Sequence, residues 1–437
     1  MLKEQKIYFI GAGGIGASRL IEYAHYMGCD VRGSDSSSNM IAYNIPLDLQ
    51  SVVTTREIAD NITPDLDLVV YSEAILPTHP ELQRARELNI PTIVRHEFLA
   101  ELLQDYSSVV GIVGSTAKST VTTYVGAVLE KLNPAVLVGN PNEMLSRSAI
   151  RDSSTIAVEL CEYPTLEPYT VDVCVLTNIF WRHLQWFPSK EKYLQAYEKF
   201  LQEQVKLLIW NRDCPESTRI VQKLIGVNQV SCGFHEESDY HIGYSGGNSF
   251  TLNGQSYNVQ DFNVLPIKSS IHNLSMALAT ANMMNTEPVV DQLRVVDRLE
   301  VLWRKPYLAV AAKMVFPEEI NSTVDSLRQQ YNRVVVIYKP YVTSRIQLQL
   351  DRYLEALSLA NDVFFISAYK DDSPLDFDYI ESYLANYRDS SVDQRFLAEG
   401  LGESDVIVFA SARESGCLNE SIELLRPPKS HYADRSV

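Results

Sequence analysis

Cysteine is scarce in this chain and stands apart from itself. The six cysteines among 437 residues, Cys29, Cys161, Cys174, Cys214, Cys232 and Cys417, form no Cys-x-x-Cys pair. That excludes a zinc-ribbon or thioredoxin-like framework and leaves reduced thiols in a cytoplasmic protein as the expectation. No run of about 18 apolar residues occurs, so no membrane span is expected. No apolar leader precedes the first strand, so no export is expected. Positive charge is in deficit, with 38 Lys and Arg against 55 Asp and Glu and a net charge of −17. Nucleic acid as a main partner is thereby excluded, because a phosphate backbone needs a basic footprint. A nucleotide is not excluded, since one phosphate site needs only a few local donors. Short-period repeats and low-complexity segments are also missing. With 46% hydrophobic and 21% charged residues the composition is globular, and about 150 residues per domain predicts about three domains.

Against these absences one segment carries most of the information. Ser108 to Val113 reads as a buried strand, Gly114-Ser115-Thr116-Ala117-Lys118-Ser119-Thr120 follows, and Val121 to Leu129 reads as a helix. Strand, small-residue turn, Lys-Ser and helix is the layout of a nucleotide phosphate loop. Backbone N–H groups of such a loop cradle phosphates, its lysine neutralises them, and Ser119 or Thr120 is the expected magnesium ligand. Ala117 stands where these loops carry glycine, which adds a methyl group at a point of close approach.

The first hundred residues have a related organisation. Ile7 to Ile10 is a strand, Gly11-Ala12-Gly13-Gly14-Ile15-Gly16 follows at once, and Ala17 to Met27 has helical spacing. A second strand ends at Gly33-Ser34-Asp35, placing an acid about 20 residues beyond the glycines, where a ribose is met. The glycines allow a pyrophosphate to approach; the alternative reading is a tight turn that binds nothing. Leu66–Tyr71 and Ile90–Val94 continue the alternation of strand and helix expected of a doubly wound sheet. A polar joint at Gln104–Ser108 marks a boundary.

Further on, one strand ends at Glu159-Leu160-Cys161-Glu162-Tyr163 and another at Thr177-Asn178-Ile179-Phe180-Trp181-Arg182-His183. Polar residues at the carboxyl ends of parallel strands are where ligands sit in open α/β sheets. Glu162 and His183 are therefore candidates to converge on magnesium near the phosphates; taken singly, each also suits a hydrogen-bonded surface position. After a charged linker from Gln292 to Glu300, four strands follow at Tyr307–Val310, Arg333–Tyr338, Asp362–Ile366 and Asp405–Phe409. Helices over Pro317–Tyr331 and Arg345–Leu359 fit between them.

These residues resemble the Mur ligases over nearly the whole chain, within the branch acting on UDP-N-acetylmuramate. Gly11 to Gly16, Gly33-Ser34-Asp35 and Tyr71-Ser72-Glu73-Ala74-Ile75 are similar to that family's uridine-diphosphate domain. Glu159 to Tyr163, Thr177-Asn178-Ile179 and His272-Asn273-Leu274 are similar to its central ATPase domain. The resemblance implies an α/β architecture of three domains, with Rossmann-like N- and C-terminal domains around a central P-loop-type ATPase domain. Expected boundaries are 1–104, 105–296 and 297–437. It implies ATP and magnesium as cofactors, and Lys118, Glu162 and His183 as catalytic residues. ATP falls to Gly114, Ser115, Lys118, Ser119, Thr120, Asn273 and Arg298, and the metal to Ser119, Glu162 and His183. A UDP-N-acetylmuramate-type nucleotide sugar falls to Gly11, Gly13, Gly14, Gly16, Asp35, Ser72 and Ala74.

Departures from the family fall on the chemistry. The pattern Gly-Thr-x-Gly-Lys-Thr/Ser meets Ala117, and Thr-Asn-x-x-x-Asp-His-x-Asp meets Arg182 and Gln185 in place of its acids. His-Asn-x-x-Asn meets Met276. Asp-Tyr-Ala-His-x-Pro is matched by Ala312 to Pro317, Pro-His-Arg-Tyr-x-Arg by Pro340 to Arg345, and Gly-Ala-Gly by Ala410 to Ala412. A carboxylate and a triphosphate must meet in the reaction, and magnesium and cationic groups offset their repulsion. With several such groups replaced, the expectation is a Mur-like protein of impaired catalysis that binds the nucleotide sugar or a cell-wall-synthesis protein. A working ligase with an altered site and a pure interaction scaffold are the alternatives. Arg182 is expected to pair with phosphate oxygens, making nucleotide binding at Lys118 weakly dependent on magnesium.

Overall fold

In the computed structural model, residues 4–139, 150–183, 186–258, 267–290, 299–314, 317–339, 349–365, 377–388, 400–411, 421–422 and 425 are described. Three sheets follow one another along the chain. The chain forms two compact units, one of residues 1–243, 251–257 and 272–295, the other of residues 244–250, 258–271 and 296–437.

The first sheet contains β1 (Lys6–Ile10), β2 (Asp30–Ser34), β3 (Val53–Thr54), β4 (Leu68–Tyr71) and β5 (Thr92–Val94), in the order β3-β2-β1-β4-β5. All its pairings are parallel. Helices α1 (Ile15–Tyr26), α2 (Ser38–Asn44), α3 (Pro80–Glu87) and α4 (Arg95–Leu103) supply its connections. The order reverses at β1, so the glycine turn after β1 opens at the switch point where such sheets take ligands. A buried carboxylate locks the turn's neighbours. Glu81, fully buried, accepts hydrogen bonds from Tyr8 Oη (2.8 Å), Ser34 Oγ (2.5 Å) and Asn61 Nδ2 (2.6 Å). A buried acid is tolerated when its lone pairs are satisfied in this way.

The second sheet is built from β6 (Ser108–Val113), β7 (Ala135–Leu137), β8 (Thr155–Glu159), β9 (Val171–Leu176), β10 (Val205–Asn211), β11 (Asn228–Gly233), β12 (Tyr240–Gly243), β13 (Ser249–Leu252) and β14 (Gln255–Asn258). Its order is β14-β13-β12-β11-β10-β9-β6-β8-β7. Strand β6 lies between β8 and β9, parallel to both, and is buried over its last five residues. That burial on both faces is why its sequence is a continuous apolar run rather than an alternating one. Helices α5 (Lys118–Val128), α6 (Lys190–Glu203) and α7 (Pro215–Val221) cover the sheet, and α8 (Lys268–Met283) follows it. The β13–β14 turn places Asn253 and Gly254 at φ of 49° and 82°, the left-handed pair a two-residue hairpin demands. One core joins the first two sheets: Phe98, Leu99 and Leu102 of α4 belong to the same buried cluster as Val109, Val113 and Leu176.

The third sheet holds β15 (Leu299–Trp303), β16 (Leu308–Lys313), β17 (Arg333–Lys339), β18 (Asp362–Phe365), β19 (Tyr387–Arg388) and β20 (Asp405–Ser411), in the order β15-β16-β20-β17-β18-β19. Only the β15–β16 pair is antiparallel. Its helices include α9 (Pro317–Arg328), α10 (Leu350–Leu357) and α11 (Phe377–Tyr383). Six strands stand where four were expected. The end of the expected linker, Leu299 and Glu300, is strand β15, because pairing with β16 outweighs its charged composition. The rest of that linker to residue 298, and the part of the expected helix at residues 345–348, lie outside the described residues. Among the described residues no helix is long and apolar enough to cross a membrane.

Gly111, in the middle of β6, has no room for a side chain. A Cβ there would stand 2.7 Å from Val171 Cγ1 and 2.8 Å from Leu160 Cδ1. Gly111→Val is expected to lose about 1–3 kcal/mol of stability through overpacking, read as a lower urea midpoint at unchanged slope; an unshifted midpoint contradicts this account of the core.

Candidate functional site

The phosphate loop leaves the carboxyl end of β6 and enters α5. Gly114 adopts a φ of 136°, and a Cβ on it would lie 2.2 Å from Thr177 Oγ1, so no other residue fits. Ala117 is held at a φ of 62°, a left-handed conformation that costs a residue with a Cβ about 1–2 kcal/mol. Two of the loop's donors are already engaged. Ser115 N donates to the Asn178 carbonyl (3.0 Å) and Thr116 N to Asn178 Oδ1 (2.9 Å). The carboxyl end of β9 thus cradles the loop: Thr177 Oγ1 donates to the Thr116 carbonyl at 2.7 Å and Asn178 Nδ2 to Thr116 Oγ1 at 3.0 Å.

Lys118, Glu162 and His183 come together, and Arg182 and Tyr193 join them. The buried Lys118 Nζ donates to the Gly114 carbonyl (2.6 Å) and to Glu162 Oε2 (3.1 Å). Arg182 Nε lies 3.4 Å and His183 Nε2 3.5 Å from Glu162 Oε1. Tyr193 Oη donates to the same oxygen at 3.0 Å and is 3.0 Å from Ser115 Oγ. Arg182 also donates through Nη1 to the Ser115 carbonyl. Ser115 Oγ donates to the Phe180 carbonyl (2.8 Å) and accepts from Phe180 N (2.7 Å). His183 reaches Glu162 from a left-handed φ of 56°. Its ring is stacked on Tyr163 at 5.2 Å, and its carbonyl accepts from Trp186 N and Phe187 N. Two residues with side chains in left-handed conformations, Ala117 and His183, therefore flank one carboxylate, and stored strain of this kind gathers at functional sites.

The electrostatics follow from this packing. Burial alone would raise the Glu162 pKa, but Lys118, Arg182 and the approach of His183 outweigh it and hold the carboxyl well below its ordinary range. Burial lowers the His183 pKa, and Arg182 and Lys118 add to the lowering against the pull of Glu162. Burial raises the Arg182 cost of charge, yet Glu162 more than compensates and its pKa is raised.

This arrangement does not fit magnesium. That ion takes about six oxygen ligands in near-octahedral geometry. Here the one carboxylate already faces two permanent cations and a tyrosine hydroxyl. Cys161, whose sulfur is grouped with Glu162 and His183 within 4.8 Å, is a thiol whose pKa burial pushes up. Ser119, expected as a third ligand, turns to another acid: its Oγ donates to Glu159 Oε2 at 2.7 Å, and Gly139 N donates to the same oxygen at 3.0 Å. No contact among the described residues joins Ser119 to Glu162 or His183.

Other expected site residues are placed as follows. Thr120 is buried in the first turn of α5. Asn273, half-buried on α8, has no contact with the phosphate loop among the described residues. Met276, standing where the family pattern has an asparagine, is fully buried in the core. Arg298, Gln185 and Pro340 to Arg345 lie outside the described residues.

At the first sheet, Gly11 packs on Ser72, where an added Cβ would meet Ser72 Cβ at 3.0 Å. Ala74 is exposed and its N–H reaches Ser72 Oγ at 3.4 Å. Asp35 does not project freely toward a ribose: Oδ2 accepts from Gly13 N and Oδ1 from Ser37 N, both at 2.9 Å. Gly14 N turns back to the Gly11 carbonyl at 3.3 Å. The segment after β7 approaches the glycine turn, since a Cβ on Gly139 would lie 3.3 Å from Ile15 Cγ2 of α1 and 3.2 Å from Glu159 Oε2.

Sequence reading missed Tyr193, Glu159 and the Glu73–Arg95–His96 cluster as site members. Tyr193 carried no signal, because its role depends on how α6 packs. Arg95 and His96 stand directly after β5 and were within reach of the strand-end rule that singled out Glu162.

Comparison with known proteins places these features. Residues 6–107 match the Mur ligase family, catalytic domain, and residues 112–281 match the Mur ligase middle domain. A UDP-N-acetylmuramate–L-alanine ligase of Dictyoglomus turgidum is 27% identical over 391 residues, covering 84% of this chain and 83% of its own. One from Alkaliphilus metalliredigens is 25% identical, covering 83% of each. The crystal structure of UDP-N-acetylmuramate-alanine ligase MurC from Thermotoga maritima superposes with a TM-score of 0.71 at 20% identity, covering 97% of this chain and 100% of that one. MurF ligase from Thermotoga maritima, in complex with ADP, gives 0.56 at 13% identity over 82% of this chain and 88% of its own.

Depressed pKa values at both Glu162 and His183 give a defined acid dependence. Each group binds fewer protons folded than unfolded, so its share of stability is complete above the unfolded value and is lost as pH falls. Unfolding free energy is expected to decline below about pH 6.5 as unfolded histidine takes up protons, and more steeply below about 4.5 with the carboxylate. Glu162→Gln is expected to flatten the lower part and to cost about 3 kcal/mol at neutral pH, by leaving Lys118 and Arg182 without their partner. Urea titrations at several pH values check both, and a neutral substitution with an unaltered pH profile contradicts the pairing.

Proposed function

The chain belongs to the Mur ligase family, and from that premise we propose that it binds a UDP-N-acetylmuramate-type nucleotide sugar without efficient ligation. It is related to the UDP-N-acetylmuramate–L-alanine ligases of peptidoglycan synthesis. In this reading residues 1–104 take the nucleotide sugar, 105–296 form an ATPase-like domain and 297–437 the third domain.

One observation carries the proposal: Arg182, in the place of an acid in the family pattern, joins Lys118 on the buried carboxylate of Glu162. Ligation of this type brings a carboxylate to a triphosphate. The repulsion is offset by metal ions and preorganised cationic groups, each worth roughly 10²–10³ in rate. Here the lysine meant for phosphate is engaged by Glu162 and the Gly114 carbonyl. Losses within one site are not independent, so restoring a single group is not expected to restore turnover.

A second reading, an active ligase with a rearranged centre, has in its favour that Lys118, Glu162 and His183 remain assembled. ADP release measured with UDP-N-acetylmuramate and a panel of amino acids separates the two. Release at background is expected, and robust turnover with any amino acid overturns the binding-protein reading. Calorimetry with the nucleotide sugar alone is expected to show binding; its absence leaves the interaction-scaffold alternative.

Metal dependence gives a separate test. Arg182 carries a permanent charge beside the phosphate loop, so in this reading it takes over part of the charge that magnesium would offset. ATP titrations with magnesium and with a chelator are therefore expected to give comparable affinities. A strict magnesium requirement defeats this part of the proposal.

A further inference from the structure

We propose that Arg95 is the anion-recognition residue of the nucleotide-sugar site, meeting a diphosphate oxygen beside the start of α1. The inference rests on the reading of the first sheet as the nucleotide-sugar domain and names the residue that holds the ligand's charge there.

The first four amides of the turn after β1 are engaged by the protein itself. Gly11 N and Ala12 N both donate to the Ser34 carbonyl (2.9 and 2.8 Å), Gly13 N donates to Asp35 Oδ2 (2.9 Å) and Gly14 N to the Gly11 carbonyl (3.3 Å). Four successive amides are thus committed, and one of them carries a carboxylate where a phosphate would otherwise lie. An anion arriving here is left the N–H groups of Ile15 and Gly16 at the start of α1, which have no hydrogen-bond partner among the described residues, and a charged donor beside them would hold it more firmly.

Arg95 supplies one. It is the first residue of α4, directly beyond the carboxyl end of β5, on the edge of the parallel sheet where ligands bind. Its guanidinium lies flat against Gly16. A Cβ on Gly16 would stand 2.9 Å from Arg95 Nη1, 3.1 Å from Cδ and 3.2 Å from Cζ. The last glycine of the turn lets the guanidinium lie close to the backbone at the start of α1.

Glu73 anchors the guanidinium by two contacts on one face, Nε to Oε2 at 2.8 Å and Nη2 to Oε1 at 2.7 Å. His96 Nδ1 lies 3.0 Å from the same Oε1. Both partners are largely enclosed, the Glu73 side chain 5% and the Arg95 side chain 12% exposed. Among the described residues Nη1 has no hydrogen-bond partner, and it points along Gly16 at the start of α1. A guanidinium fixed through one edge keeps the other for an acidic oxygen, the bidentate geometry that suits arginine better than lysine. Glu73 is the positioning residue of the pair.

Two acidic oxygens of the ligand share this chemistry, the diphosphate and the carboxyl of the sugar, and the turn at Gly16 favours the first. Calorimetry on the full chain with UDP, UDP-N-acetylglucosamine and UDP-N-acetylmuramate distinguishes them. Arg95→Gln is expected to weaken all three by at least about tenfold, the scale of one charge-assisted hydrogen bond, with partial recovery in Arg95→Lys. Loss confined to UDP-N-acetylmuramate keeps Arg95 as the anion residue and assigns it to the sugar carboxyl. Because Arg95→Gln orphans a buried acid, the double variant Arg95→Gln/Glu73→Gln is measured beside it, its urea midpoint serving as the check on folding. A folded double variant that binds all three ligands as the wild type does overturns the inference and leaves the nucleotide-sugar reading intact. Wild-type protein that binds none of them overturns both.

Discussion

Glu162 is the point on which the central domain closes. Its carboxylate is fully enclosed and receives Lys118 from the phosphate loop, Arg182 and His183 from the segment after β9, and Tyr193 from α6. Three separate stretches of chain are thereby tied to one pair of oxygens. A buried charge is stable only while paired and hydrogen-bonded, so each of these stretches holds its conformation partly because the others do. The strained backbone at Ala117 and His183 persists because this pairing over-determines it.

The same theme recurs at the first sheet. There the acid is Asp35, the donors are the amides of Gly13 and Ser37, and the effect is again a phosphate-type turn partly satisfied from within. The two turns differ in what they leave over. At the central loop the cations are spent on Glu162, and magnesium finds no suitable set of oxygens. At the glycine turn a guanidinium stands beside the committed amides with one edge unspent. That asymmetry is the physical argument on which the proposal of a nucleotide-sugar-binding protein rests.

Much of the architecture was legible because parallel strands buried on both faces leave continuous apolar runs, and Ser108–Val113, Val171–Leu176 and Arg333–Tyr338 are such runs. Strands with weaker patterns escaped notice. Val53–Thr54 and Tyr387–Arg388 are two residues long, and Leu299–Trp303 follows a charged stretch. For the site, the rule that polar residues gather at strand ends led to Glu162 and His183, which the structure brings together. It did not separate Ser119, which sits near in sequence to Lys118 yet turns to Glu159. A step of one residue, about 100° around a helix, is enough to send neighbouring side chains to different acids.

By itself the sequence determined which segments are phosphate-type turns, which family the chain resembles, and that an arginine replaces an acid after Asn178. These are local matters of residue type and spacing, and they survive without coordinates. Only the tertiary structure decided what the replacement does, because the partners of Arg182 are 20 residues back at Glu162 and 67 residues back at Ser115. It alone decided that Gly16 makes room for Arg95, a residue 79 positions away. Charge acts through space and is screened or strengthened by what surrounds it, so the sign and reach of each group depended on packing that no linear pattern records.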